Sequence, residues 1–113
     1  MSKAQVVKGR AWEQEVARLF RAAGVPTKRN GHKQRSAKGS EECPDLESLW
    51  FAIECGVGKQ VSHRAKLKQA QASAKEHQFS VAVVKEDRQK PTVYMSLEDF
   101  LALVEEWNKQ RSE

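Results

Sequence analysis

The sequence predicts an α/β fold with a mixed central β-sheet flanked by helices, in the order α-β-β-β-α-β-β-α. Three observations carry this. Trp12, Val16, Leu19, Phe20 and Ala23 recur at helical spacing and place one apolar stripe on a leading helix. Two short segments, 45–48 and 50–55, flank a tight turn and read as an antiparallel hairpin. The run 79–84 is almost continuously apolar, as a strand covered on both faces requires, and a helical segment precedes it.

Taken in order, residues 1–7 read as a loose tail. Gly9 then precedes a helical pattern that runs to about Ala23, and Gly24 stops it as a C-cap glycine does. Residues 25–30 suit a short strand. The stretch 31–43 is polar, basic and nearly free of apolar residues, which predicts a mobile basic loop. Pro44 keeps the chain extended into the hairpin, and Gly56, Val57 and Gly58 break the second strand. The next helix, 62–77, has a thin apolar face of Ala65, Leu67, Ala70 and Ala74. Its other face carries Arg64, Lys66, Lys68, Gln69, Gln71 and Lys75. After the central strand, 86–90 is a turn and 92–95 a further strand. Ser96 is a good N-cap, and Glu98 and Asp99 suit the first helical turn. Leu97, Phe100, Leu101, Val104 and Trp107 give the last helix a stripe expected to be buried. No internal repeat is present.

At 113 residues the chain is long enough for one domain with a modest core. No stretch is long and apolar enough to span a bilayer and no signal peptide opens the chain, so a cytoplasmic protein without a membrane partner is expected. Cys43 and Cys55 have neither C-x-x-C spacing nor a histidine at zinc-ligand spacing, and read as reduced thiols. The charge is uneven. Residues 1–40 hold ten Lys/Arg against two Glu, a net of +8; residues 41–113 hold ten Lys/Arg against thirteen Asp/Glu, a net of −3. A basic N-terminal third suggests a polyanion footprint, most often nucleic acid, and a merely solvated basic surface is the alternative.

The chemistry-bearing residues lie around the hairpin. Asp45 and Glu54 sit in or beside the apolar run 46–53. Carboxylates converging at a sheet edge repel each other and resist desolvation, so they must be protonated, paired or bound to a cation. A hard divalent cation held by carboxylate oxygens is the functional reading. Asp45 as a turn residue and Glu54 as a strand-edge ion pair is the structural one. Glu13 precedes Phe20 by seven residues, so the two project within about 20° of each other on a helix. That places Glu13 at the margin of the buried stripe, where it either serves the site or pairs with an arginine.

Pro44-Asp45 followed by Glu54-Cys55-Gly56 resembles the active-site core of the PD-(D/E)xK nucleases. Lys8-Gly9-Arg10-Ala11-Trp12-Glu13 resembles the K-G-x-x-x-E opening of archaeal-type Holliday junction resolvases, and the likeness covers roughly residues 8–85. It implies a restriction-endonuclease-like core. It further implies a metal-dependent, structure-specific DNA endonuclease that resolves four-way junctions by paired symmetric nicks, in an archaeal, phage or other prokaryotic setting. By this resemblance Asp45 and Glu54 bind Mg²⁺, with Mn²⁺ as a substitute. The backbone carbonyl of Cys55 is a further ligand, and Glu13 completes the site directly or through water. Ser40, on the loop before Asp45, and Gln69 or Gln71, on the second helix, are the polar residues expected to face it.

Two symmetric nicks imply a two-fold homodimer, with the last helix or the apolar turn 49–51 as interface. The DNA footprint is expected from Lys28, Arg29, Lys33, Arg35 and Lys38 around the acids. Arg64, Lys66 and Lys68 extend it along the second helix, and Lys8, Arg10 and Lys59 complete it. Phosphate contacts of this kind give affinity without reading sequence, which suits recognition of branch shape.

Gly56 departs from the family, which has lysine there. Positions 54 and 56 share a strand face, so a lysine at 56 would reach the same phosphate and water as Glu54. Three readings stand. The lysine has moved, with Lys59 or Lys68 as substitutes; the chain binds junctions with weak or no cleavage; or the position has been altered to trap a complex. An E-C-K-V-G-K run would be ordinary for the family, which favours the last. On that reading Gly56→Lys raises cleavage strongly and changes DNA affinity little. A nickase, flap or repair nuclease of the same fold, or a non-catalytic branched-DNA-binding module, are the alternatives.

Overall fold

The computed structural model describes residues 3–30 and 43–112. The elements are α1 (Lys3–Ala22), β1 (Lys28–Arg29), β2 (Leu46–Glu47), β3 (Phe51–Gly58), α2 (His63–Ser73), β4 (Phe79–Glu86), β5 (Thr92–Tyr94) and α3 (Leu97–Ser112). They form one five-stranded sheet in the order β1-β2-β3-β4-β5. Among the described residues only β3 and β4 pair in parallel, and α2 is the crossover between them. The expected α/β class and element order are those observed.

Alternation along β3 and β4 divides the sheet into two faces. Ile53 and Cys55 stand beside Val81 and Val83 and pack with Trp12, Val16 and Ala17 of α1 and Leu46 of β2. Trp12 Nε1 also donates to the carbonyl of Val83 at 3.2 Å, pinning α1 to the sheet centre. On the other face stand Ala52, Glu54 and Gly56 with Ser80, Ala82 and Val84, covered by α2 through the fully buried Ala70. Small residues there let the helix approach closely. α1 ends as expected at Gly24, whose φ of +94° closes the last turn. Val25 N donates to the carbonyl of Phe20 and Gly24 N to that of Arg21, both at 2.9 Å, which is a Schellman motif.

Four expectations are corrected. The tail expected over 1–7 is helical from Lys3. Ala4, Gln5 and Lys8 are good helix formers, Gly9 is absorbed mid-helix, and Lys8 is tethered to Asp87 at 3.0 Å. The glycines at 56 and 58 do not end β3: it runs to Gly58 in register with Glu86, because parallel pairing to β4 holds the backbone extended. α2 stops at Ser73 rather than 77. The buried Gln78 turns back and its Oε1 accepts from Lys75 N at 2.9 Å, so the segment after Ala74 is not helical. Finally, no residue of α3 is buried. Leu97, Phe100, Leu101, Val104 and Trp107 are 39–71% exposed. Ser96 caps the helix as expected, accepting from Asp99 N, while Asp99 ties it to the sheet by accepting from Ser80 N at 3.1 Å. Its apolar stripe is not covered by the described residues of the same chain.

Candidate active site

Asp45 lies where β2 parts from β3, one residue beyond the pairing of Leu46 with Ile53. The split leaves backbone N–H groups for side chains to use. Cys55 N donates to Asp45 Oδ2 and Asp45 N donates to Glu54 Oε2, both at 3.0 Å. The two carboxylates are thus interlocked across the strand gap, and both residues are buried, at 5% and 2% exposure. Asn30, at the end of β1, holds the approach. Its N–H donates to the carbonyl of Asp45 and its Nδ2 to that of Pro44, both at 2.9 Å. Pro44 itself is buried, and so is Asn30.

Glu13 is carried to the same region by α1, one residue after the Trp12 anchor. Its Oε1 accepts from Arg29 Nε at 2.7 Å. Arg29, expected in the DNA footprint, therefore has its guanidinium on Glu13. All three acids act on the Cys55 thiol. Burial raises that thiol's pKa above the ordinary 9.0, the charges of Asp45, Glu13 and Glu54 raise it further, and Lys66 opposes them. Burial and the neighbouring acids thus favour the neutral Cys55 thiol in the core, and Cys43 is also a free thiol.

The remaining expected site residues are spread more widely. Lys28, Arg10, Lys59, Arg64 and Lys68 are exposed, as are Gln69 and Gln71. Lys8 points to Asp87, at the far end of β4. Lys66 is half-buried, with its stem against Gly56. Ser40, Lys33, Arg35 and Lys38 lie outside the described residues. Sequence reasoning missed Asn30 as the clamp on Pro44-Asp45, and missed Val61, which covers Gly56. It also missed a polar brace beside the site: Glu47 accepts from Gln78 at 3.0 Å and Lys75 at 3.2 Å. None of these carries a local motif; each depends on packing between distant segments.

Among the described residues no three His, Cys, Asp or Glu side chains form a ready-made cage for a metal. The donor set nonetheless suits a hard cation. Asp45 and Glu54 are two buried carboxylates held together by the backbone, and Mg²⁺ is commonly bound by one or two carboxylates while keeping several waters.

No protein family and no curated protein matches the sequence. By structure the chain is similar to Hjc from Archaeoglobus fulgidus, a Holliday junction resolvase from an archaeal hyperthermophile. The TM-score is 0.60 at 18% identity, over 77% of this chain and 76% of that one. No helix among the described residues is long and apolar enough to cross a membrane. The five-stranded mixed sheet with α1 on one face and the α2 crossover on the other is the fold of that archaeal resolvase.

Proposed function

We propose that this chain is a metal-dependent endonuclease that acts on branched DNA and resolves four-way junctions by paired nicks. The interlocked Asp45–Glu54 pair, buried at the split between β2 and β3 in a resolvase fold, is the observation that carries the reading. Asp45 and Glu54, with the Cys55 carbonyl, hold Mg²⁺ or Mn²⁺. A bound divalent cation supplies Lewis acidity at the scissile phosphate and lowers the pKa of water. The two backbone hydrogen bonds orient both carboxylates before DNA arrives. The Arg29–Glu13 pair keeps a third carboxylate at the rim without leaving its charge unbalanced against the DNA backbone. Lys28, Arg64 and Lys68 meet phosphates. The exposed stripe of α3 joins two copies about a two-fold axis, which places two active sites on two strands.

Nicking of a labelled synthetic four-way junction in Mg²⁺ and in Mn²⁺, beside linear duplex and beside Asp45→Asn, tests this. Paired nicks on the junction, lost by about 100-fold or more in Asp45→Asn, are expected. Asparagine at 45 still accepts from Cys55 N, so its melting temperature should stay close to the parent's. Tight junction binding with no cleavage in either metal would make the chain a non-catalytic branched-DNA-binding module, the outcome that Gly56 alone favours. Cleavage of flaps or duplex with no junction preference would make it another nuclease of the fold.

A further inference from the structure

Gly56 is buried, and what buries it comes from the segment that follows β3. A Cβ at this position would lie 2.5 Å from Val61 Cγ1, closer than Cβ atoms approach, and 3.5 and 3.6 Å from Cε and Cγ of Lys66. A side chain at 56 therefore collides with Val61, while its Cβ would lie in van der Waals contact with the hydrocarbon stem of Lys66. Glu54 and Gly56 project to the same face of the sheet. The stem of Lys66 thus runs over the face from which the Glu54 carboxylate projects. Its Nζ, one bond beyond Cε, stays within about 5 Å of the point a residue-56 Cβ would occupy.

The helix delivers Lys66 to that place. Ser62 caps α2, its Oγ accepting from Ala65 N and its carbonyl from Lys66 N, both at 3.1 Å. The buried Ala70, one turn further on, seats the helix against the sheet. The charge of Lys66 acts on Cys55, the residue between Glu54 and Gly56. The other two lysines able to replace a strand lysine, Lys59 and Lys68, are both exposed.

We infer that Lys66, crossing Gly56 from α2, is the catalytic lysine of this chain. The inference rests on the nuclease reading and deepens it. In the hydrolysis, a water oxygen forms a bond to phosphorus and the bond from phosphorus to a deoxyribose oxygen breaks. The electron pair leaves with that oxygen, and the proton lost by the water is made good on it. The Lys66 ammonium takes no electrons; it holds positive charge beside the phosphate oxygens while their negative charge grows. Gly56 and Lys66 are then one device: the glycine leaves the space, and the lysine from the next helix uses it. The chain is cleavage-competent as it stands. Gly56→Lys brings no gain, because its Cβ must first displace Val61.

Single-turnover cleavage of a labelled four-way junction in Mg²⁺, with full-length protein in saturating excess, tests the assignment. Lys66→Met should cut about 100- to 1000-fold more slowly, with junction Kd changed less than about 5-fold. Lys66→Arg, which keeps the charge, should retain part of the rate. Gly56→Lys combined with Val61→Ala and Lys66→Met moves the lysine to the strand and makes room for it. This should recover at least about 10-fold over Lys66→Met, which a merely structural role for Lys66 does not predict. Lys90→Gln, on the turn after β4, is the unchanged control. A parent that cuts, with Lys66→Met cutting within about 3-fold of it, overturns the Lys66 assignment and leaves the nuclease reading standing. The same holds if Lys66→Met only weakens binding and lowers its salt slope by about one. A parent that cuts no DNA in either metal overturns both.

Discussion

Glu47, Asp45 and Glu54 are three acids within ten residues, yet they answer to different surroundings. Asp45 and Glu54 face each other across the gap between β2 and β3 and are held by backbone N–H groups. Glu47, paired opposite Ala52, turns to side chains instead. Burial works against its charge, but hydrogen bonds from Gln78 and Lys75, the Lys75 charge and a 3.5 Å contact from Asn30 outweigh it. Its carboxyl is held below the ordinary 4.5. A depressed folded-state value means that the ionised group stabilises the fold above about pH 4.5, and that this contribution is lost as pH falls through the lower folded value. Glu47→Gln should therefore be less stable than the parent at neutral pH, and the gap should narrow between about pH 5 and pH 3. Urea midpoints measured at several pH values check this; a gap that is constant with pH would mean the brace is not ionic.

At the scale of elements, Asp45, Glu54 and the α1 periodicity were legible because each rests on short-range pattern. The acids bracket an apolar run, and Trp12, Val16 and Phe20 repeat at helical spacing. The continuation of β3 through Gly56 was not legible, since pairing with β4, about thirty residues away, overrides the local signal of two glycines. The start of α1 was missed for a related reason. Gly9 looks like a boundary, but it sits within one helix, and nothing lies within 4 Å of where its Cβ would be. Gly9→Ala should therefore stabilise the protein by about 0.5–1 kcal/mol, through lower unfolded-chain entropy and better helix propensity. Chemical denaturation reads this as a higher midpoint at unchanged slope; a lower midpoint would mean that residues 3–8 are not helical in solution.

For the whole molecule, the two helices outside the crossover differ sharply. α1 buries Trp12, Val16 and Ala17, while α3 buries nothing among the described residues and shows Phe100 at 51% and Trp107 at 60% exposure. An apolar helix face of this kind marks an interaction surface rather than a core. With the stripe as the two-fold interface, Phe100→Glu combined with Val104→Glu should shift the protein from dimer to monomer. Paired nicking should fall with it, while the monomer's melting curve stays cooperative. Sedimentation at micromolar concentrations, with and without the substitutions, checks this. A parent that is monomeric throughout would refer the stripe to another partner.

The sequence by itself determined the α/β class, the order of the elements, the hairpin that carries Asp45 and Glu54, and the Gly24 stop to α1. These depend on periodicity, turn chemistry and capping, which act over a few residues. Only the tertiary structure decided that Arg29 closes on Glu13, that Asn30 clamps Pro44-Asp45, and that Lys66 lies across Gly56. The partners in these contacts are 10 to 16 residues apart and come from different elements. Nor could periodicity tell the stripe of α1 from that of α3. An amphipathic face has the same pattern whether its own sheet covers it or a second chain does.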